Sequence, residues 1–448
     1  MEWTFRDPAG QLRLEQSYAL RRIHSPAEEE TLAFLASPLR AELERSGLLI
    51  RTEILRPQQS TSRTSRELGQ LWLKHPLVDP ISYPWEWTTA QWRSAAELTL
   101  QIASQAVDAG WMLKDATPLN ILFVGARPIL VDVLSLERRD PHASDWLAYG
   151  QFVRTFLLPL VAEKLLKWPL QATQFNRDGY EPRALYGALR SWQRLRPRLL
   201  DVVTLATLLE GSGGKEKRKE KAGSTTDPEL ATHILQKRIA RLAKQIRSFA
   251  RTEMRSEWSE YHHSAVHYRS DDIEEKERFV NGVLKRCRLK RVLDIGANTG
   301  TYSLMAAKAG AEVVALDCDA AAIEALWRKS AQQQQPVTAL VANIARPTPA
   351  VGWRNQEQLS LLGRLAGKFD LVLMLAVIHH LILREQLPLT NIADLCVSLT
   401  RRWLVVEWVP ATDPMYQEWL RGRDDLYGRL GEDDLTQAFA PFFRVADR

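Results

Sequence analysis

Two carboxylates set about one strand-helix-strand unit apart, with a bend of small residues at the first, make the most chemically pointed feature of the sequence. The apolar run VLDI ends in Asp294-Ile295-Gly296-Ala297-Asn298-Thr299-Gly300, and the amphipathic stretch TYSLMAAKAG starts at once. Small residues permit a tight turn there and let a ligand lie on bare backbone at a helix N-terminus. Asn298 is tolerable in a left-handed turn, though less readily than glycine. A second run, EVVALD, ends at Asp317, 23 residues after Asp294, where a carboxylate can take both hydroxyls of a ribose. A third, VTALVAN, ends at Asn343, whose amide can read an adenine edge. Together these residues outline an adenosine-shaped slot.

Which adenosine ligand fits depends on what the bend lacks. Dinucleotide binding uses G-x-G-x-x-G, whereas this bend has glycines only at 296 and 300, with an acid two residues before the first. A pyrophosphate would be repelled by Asp294, while the ammonium of an amino-acid moiety would be attracted. S-adenosylmethionine meets both conditions. Displacement at its methyl group is in-line, so the protein mainly aligns the acceptor and excludes water, with a base needed only where the nucleophile has a proton to lose. The fourth strand, FDLVLMLA, ends near Ala376 and is followed by His379 and His380. Either imidazole could take a proton from a hydroxyl acceptor; equally, one ring could pack on the next helix while the other faces solvent. No Asn/Asp-Pro-Pro-aromatic sequence occurs here, which argues against methylation of DNA amino groups. Glu407, at the end of the fifth strand, is a further candidate on the acceptor side. Upstream, WSEYHHSAVHY offers Trp258, Tyr261 and Tyr268 as a lid whose rings could attract a sulfonium, or simply pack.

The DIGANTG bend, the acid at Asp317 and FDLVLMLAVIHHL resemble motifs of the class I methyltransferases. The longer run GWRNQEQLSLLGRLAGKFDLVLMLAVIHHLILREQLPL, with VVEWVPATDPMYQEWL after it, is similar to a narrower bacterial set, the nodulation-protein-like methyltransferases. The likeness extends from about Trp258 to the C-terminus and more weakly into the N-terminal half. It implies S-adenosylmethionine as cofactor, with Asp294, Gly296, Asn298 and Gly300 around the methionine part and Asp317 on the ribose. Asn343 and Ala376 complete the expected cofactor rim. Asn298 stands where many such enzymes have glycine, so the turn geometry is the point of departure from the family.

These residues need a scaffold. From Arg291 onward, short apolar runs alternate with amphipathic stretches, ending in a helix to about Thr400 and WLVVEWV; this pattern predicts an α/β, doubly wound, Rossmann-like parallel sheet. Such sheets bind ligands at the carboxyl ends of their strands. The terminal FFRVADR suffices for one closing strand and hardly two, so the last strand of the usual sheet is either absent or lies beyond these residues. The composition break GSGGKEKRKEKAGSTTDP marks a basic linker over 211–228. The predicted division is therefore 1–210, the linker 211–228, a helical connector and cofactor lid over 229–290, and the methyltransferase domain 291–448. The connector's first helix carries Leu235, Ile239, Leu242, Ile246 and Phe249 on one stripe, with Lys237, Arg238, Arg241, Lys244, Arg247 and Arg251 elsewhere. Those cations read as a solvated face, or as a contact for RNA, lipid or an anionic glycan.

The N-terminal half is mostly helical in pattern. It contains Asp115, Asn120 five residues later and Asp132 twelve further, between helical stretches Thr89–Ala109 and Tyr149–Leu166. That order resembles the C-terminal lobe of aminoglycoside-phosphotransferase-like kinases, which implies an Asp orienting the acceptor hydroxyl and an Asn and Asp on magnesium. Residues 1–113 have one lysine, Lys74, in LWLKHP outside any clear strand, and Gly10 stands alone where a phosphate loop needs several glycines. A degenerate kinase-like α+β domain is the expectation, with Mg-ATP a ligand only if that half is active. Trp72, Trp85, Trp87, Trp92 and Trp111 read as packing, with a sugar-stacking platform the alternative.

Composition agrees with a folded chain. Of 448 residues, 45% are hydrophobic and 25% charged, which excludes disordered or fibrous classes. Sixty Lys and Arg against 54 Asp and Glu give +6, too small an excess to indicate nucleic acid. Cys287, Cys318 and Cys396 form neither a disulfide framework nor a metal cluster, and the apolar run Leu371–Leu383 is broken by His379 and His380. A cytoplasmic enzyme without a metal or membrane span is expected. The leading function is methyl transfer from S-adenosylmethionine to a small-molecule or glycan acceptor, at oxygen. The alternatives are a bifunctional kinase and methyltransferase acting on a saccharide or polysaccharide end, and a non-catalytic RNA or protein binder using the basic connector; the oligomeric state is open.

Overall fold

In the computed structural model the described residues are 4, 6–55, 71–210, 225–250, 270–410 and 430–448. Two compact units divide the chain, Met1–Glu253 and Met254–Arg448. In the first unit, β1 (Gly10–Leu14), β2 (Tyr18–Ile23), β3 (Glu53–Leu55) and β4 (Trp72–Pro76) form an antiparallel sheet in the order β1-β2-β4-β3. Lys74 thus lies inside a strand, opposite Leu20 and Glu53, and not outside one as expected. The strand escapes sequence reading because it is short and ends in His75-Pro76, which obscures the period-two pattern.

The rest of this unit is mainly helical. Thr88 and Gln91 form a reciprocal capping box that starts the helix Thr89–Asp108. The stretch from Tyr149 is helical to Leu166 but opens into a π turn at Val153–Leu157. Pro159, which has no N–H to donate, follows that wider turn. Trp111–Leu113 (β5) pairs with Leu136–Arg138 (β8), and between them Ile121–Val124 (β6) and Arg127–Leu130 (β7) make a hairpin. Trp72, Trp85, Trp87, Trp92 and Trp111 are all buried, so they pack the interior and present no open face for a sugar.

The helix Pro228–Phe249 begins as its sequence indicates, with Asp227 accepting from the Glu229 amide at 2.9 Å and proline at its first position. Leu235, Ile239, Leu242, Ile246 and Phe249 are buried. Their partner, however, is the first unit. Gln236 donates to the Ser104 carbonyl at 2.9 Å and to Asp108 at 2.8 Å. The boundary therefore falls after residue 253. An apolar stripe reveals that a face is buried and leaves open which surface buries it, so this helix, expected within the connector 229–290, belongs to the first unit.

In the second unit β9 (Arg291–Ile295), β10 (Glu312–Asp317), β11 (Val337–Val341), β12 (Phe369–Met374) and β13 (Thr400–Val406) form one parallel sheet in the order β11-β10-β9-β12-β13. Alternate residues feed opposite faces. Val292, Val313, Ala315, Ala339 and Leu371 pack under the helices Ser270–Cys287, Thr301–Lys308 and Ala320–Gln333. Leu293, Ile295, Leu316, Leu340 and Val372 pack under Ile378–Leu383, Leu389–Leu399 and Glu432–Phe439. The single helix expected up to Thr400 is thus two, parted by the turn before Pro388. Among the described residues the sheet stops at β13, and Phe442–Arg448 forms no strand.

The bend after β9 is where backbone freedom matters. Gly300 has φ +83°, and a Cβ there would lie 2.1 Å from Leu326 Cδ1. Gly300→Ala should therefore lower the urea unfolding free energy by about 1–3 kcal/mol. Leu326→Ala should cost less in that background than alone, because it removes the collision; strictly additive costs would show that the two side chains do not meet.

Candidate active site

Strand order reverses at β9, which has β10 on one side and β12 on the other. The loops leaving β9 and β12 therefore diverge to opposite faces and open a crevice at their carboxyl ends. Asp294, the bend 296–300 and Ala376 belong to those two loops or the strands they leave, and His379 and His380 to the helix Ile378–Leu383 that follows. Gly296, at φ +75°, is exposed, so bare backbone is accessible at the rim; a Cβ there would strike Val377 at 2.3 Å. Asn298 is left-handed at φ 48°, as its type permits, and Ala376 has φ 53°, a conformation strained for alanine.

The second strand is tied to this bend through Asp317. Its Oδ2 accepts the Asn298 backbone N–H at 2.8 Å and its Oδ1 accepts the Asp319 N–H at 2.9 Å. A carboxylate has about four acceptor positions, so both oxygens keep capacity for a diol. Burial pushes the Asp317 carboxyl above its ordinary value, partly offset by those two hydrogen bonds. Asn343 spends its side-chain oxygen on the Ala345 N–H at 2.9 Å, which fixes the amide in a turn. The Asn298 side-chain oxygen is buried without a hydrogen-bond partner among the described residues. A buried acceptor in that condition is costly until a donor reaches it, which is how a binding slot differs from a finished core. The site thus fits a ligand with a diol and an N–H donor.

Asp294 is 2% exposed and accepts from Ser303 Oγ at 2.6 Å. Burial raises its pKa to about 6, while the Ser303 hydrogen bond and Lys276 pull it down and Asp317 pushes it up. Lys276, on the helix before β9, pairs with Glu407 and lies 5.3 Å from the Tyr302 ring centroid. Sequence reading missed Lys276 because EEKERF looks like any solvated helix face. Ser303 and Val377 were missed because their roles follow from contacts across the fold. Glu407 is on the rim as expected, but its carboxylate is engaged by Lys276.

His379 is 7% exposed, and its ring centroid is 4.4 Å from that of His380. Burial, then the charges of His380 and Lys276, lowers the His379 pKa to about 3; burial and Arg384 lower that of His380 to about 4. Both rings are neutral at physiological pH and can accept a proton, though as weak bases. Trp258, Tyr261 and Tyr268 lie outside the described residues, as does most of the linker.

In the first unit the β6–β7 hairpin brings Asn120 and Asp132 to its two ends, joined where the Val131 N–H meets the Asn120 carbonyl at 2.9 Å. Asn120 donates to Asp115 at 3.1 Å and to Ser135 at 3.1 Å, so the three kinase-like residues share one cluster. Asp115 also accepts from Gln151. Burial raises the Asp115 carboxyl, with these two donors opposing. Asp132 accepts from Arg21 of β2 at 2.6 Å. Burial opposes its ionisation, yet Arg21 together with Ser135 and Leu134 holds it below the usual carboxylate range. The guanidinium thus already neutralises the carboxylate expected to serve magnesium.

A parallel sheet of order 3-2-1-4-5 with an acid, a glycine bend, a second acid and an amide along its carboxyl rim defines the class I methyltransferase architecture. Residues 293–397 match the family described as a methyltransferase domain. The chain is 26% identical over 456 residues to nodulation protein NoeA of Rhizobium meliloti (strain 1021), covering 99% of this chain and 92% of that protein. Among solved structures, the bifunctional kinase-methyltransferase WbdD is 20% identical over 39% of this chain and 35% of its own, with a TM-score of 0.29. A SAM-dependent methyltransferase from Archaeoglobus fulgidus is 17% identical over 38% of this chain and 67% of its own, with a TM-score of 0.27. This chain thus spans only about a third of WbdD, and the fold assignment rests on the sheet order and rim, not on these scores. The protein is an S-adenosylmethionine-dependent methyltransferase.

Two outcomes follow from the electrostatics. A bound ammonium favours the ionised form of Asp294, so S-adenosylmethionine affinity should be highest above about pH 6 and weaken below it, approaching tenfold per pH unit. Asp294→Asn should bind weakly with a flat profile; calorimetry giving the wild type a flat profile would detach Asp294 from the ammonium. In the first unit, Asp132→Asn should cost about 3 kcal/mol in urea unfolding by removing the nearer of Arg21's two carboxylates and leaving Asp7 at 3.6 Å, and Arg21→Met with Asp132→Leu should cost less than either alone. Additive costs would mean that the pair does not act as a unit.

Proposed function

We propose that the methyl group passes to a hydroxyl oxygen of a small-molecule or glycan acceptor, and that Asp294, Gly296, Asn298, Gly300, Asp317, Asn343 and Ala376 hold the cofactor. The observation that carries this reading is the pairing, along the carboxyl ends of one sheet, of a diol-ready Asp317 clamped by two backbone N–H groups with a neutral histidine pair on the helix after β12. Bound there, S-adenosylmethionine would supply an electrophilic methyl group and its sulfur would take the electron pair of the carbon–sulfur bond, so that this chain's part is to align the acceptor oxygen and to accept the hydroxyl proton. His379 or His380 receives that proton. Their low basicity assigns them a late role, taking a proton that the forming bond has already acidified. Most of the acceleration then comes from alignment in a crevice walled by Val377 and the bend.

The first unit is proposed to serve without phosphoryl transfer. Support lies in Arg21, which occupies Asp132, and in Gln151 and Asn120, which occupy Asp115. No helix among the described residues is long and apolar enough to cross a membrane. The three cysteines are free thiols, which suits the cytosolic setting proposed here.

Incubating the protein and a cell extract with isotopically labelled S-adenosylmethionine, followed by mass spectrometry, should reveal a labelled methyl ether. Asp317→Ala should weaken cofactor binding about ten- to a hundredfold, the loss of one charge-assisted contact, and reduce labelling in step. Label on nitrogen would replace the oxygen acceptor; no cofactor binding at all would remove the reading.

A further inference from the structure

Lys276 stands where packing on the sheet calls for an apolar side chain. On the helix Ser270–Cys287 it extends, at steps of four and three, the stripe of Val280, Val283 and Cys287 that packs on the sheet. The sheet face beneath that stripe carries Val292, Leu371, Leu373 and Val405. Alternation along β9 puts Asp294, two residues after Val292, on the same face. Glu407 follows Val405 by two and continues the ladder just past β13, its N–H donating to the Met374 carbonyl at 3.2 Å. Leu373 of β12 separates the two acids, opposite Asp294 on one side and Val405 on the other. Two carboxylates two strands apart thus face one helix, and that helix directs Lys276 to them.

The lysine ammonium is fixed on the β13 side by its ion pair with Glu407 and on the β9 side by the Tyr302 ring, 5.3 Å away. Tyr302 adjoins Ser303, which donates to Asp294 at 2.6 Å. Both partners of the ion pair are only 23% exposed, so water and salt screen the charge in part. The charge reaches Asp294, where it opposes the upward push of burial and of Asp317. It also reaches His379, where it joins burial and His380 in disfavouring the protonated ring. An acid useful as an anion and an imidazole useful as a neutral base are both biased by one cation toward those forms.

We propose, on the reading that Asp294 meets the cofactor's ammonium, that Lys276 is the positioning residue which holds Asp294 as a carboxylate, and that Glu407 limits how much of the lysine charge Asp294 feels. The two partners of the ion pair then act with opposite signs. Removing Lys276 takes away a cation and makes Asp294 harder to ionise. Removing the charge of Glu407 releases that cation, takes away a like charge, and makes Asp294 easier to ionise. A brace that merely joined the helix to β13 would lose the same contact in either variant.

Titration calorimetry with S-adenosylmethionine on the full chain, between about pH 5 and pH 8, reads this balance as the pH below which affinity falls, about 6 in the wild type. Lys276→Met should move that midpoint up by about half a pH unit or more, Glu407→Gln should move it down, and Lys276→Arg should keep it at the wild-type position. Lys285→Met, the same charge change at an exposed position of the same helix, should leave it in place. Shifts of Lys276→Met and Glu407→Gln in one direction, or no shift in either, would overturn the proposal and leave the pair a brace. An equal shift in Lys285→Met would overturn it in favour of a diffuse charge effect. Circular dichroism checks that each variant is folded; should Lys276→Met unfold, the direction of the Glu407→Gln shift decides alone. A flat profile in the wild type would overturn the cofactor reading of Asp294 itself, an outcome distinct from unmoved midpoints in the variants of a pH-dependent wild type.

Discussion

The candidate active site depends on a left-handed bend packed too closely to admit a side chain at either of its glycines. Gly296 and Gly300 both take positive φ, and both are so close to a neighbour, Val377 and Leu326 respectively, that no side chain fits. The bend is also tied laterally, because the Asn298 amide is held by Asp317 on the next strand. A loop residue, Val377, a helix residue, Leu326, and a strand-end residue, Asp317, thus surround one short stretch of backbone. Loss of any one would let the loop relax toward the right-handed conformations that non-glycine residues prefer. Such a relaxation would close the exposed backbone at Gly296, misplace the second acid and remove the slot, though the hydrophobic faces of the sheet would still pack.

Holding Asp294 directly below that bend has an energetic cost. A carboxyl buried at this level resists ionisation, and Ser303 and Lys276 only partly compensate. In the reading proposed above, a ligand ammonium would add a cationic partner to the hydrogen bond from Ser303 and the charge of Lys276. The buried Asn298 oxygen follows the same logic with a hydrogen bond in place of a charge. A buried acid with a raised pKa and a buried oxygen without a partner are costly in a free fold, a pattern expected of binding sites and avoided in cores.

The C-terminal fold was legible because its signals are local. VLDI, EVVALD and FDLVLM are strands buried on both faces, and continuous apolar runs between amphipathic helices have few other solutions. The acid-bend-acid order survived translation into three dimensions because each residue sits at a strand end, where topology alone sets the neighbours. Lys276 and Ser303 were invisible for the opposite reason. Their importance comes from residues distant in sequence, Glu407 for one and Asp294 for the other across a helix turn. The helix 228–249 shows a similar limit: its stripe was read correctly and its partner was not. Its Gln236, exposed in any helical projection, is what reaches Ser104 and Asp108.

In the first unit a cluster of polar residues links separate elements. Asp115, Asn120 and Asp132 are still gathered by the hairpin, and hairpin closure enforces that gathering whatever ligand is present. What differs is the source of positive charge. Arg21 enters from the antiparallel sheet and satisfies Asp132 from within the chain, and His75, whose pKa burial and Arg21 lower to about 4, stays neutral beside them. A cation that is covalently part of the fold needs no uptake from solution and cannot leave. The same cluster that would otherwise depend on a bound ion is therefore stable by itself, and it joins the sheet to the helical part of the unit.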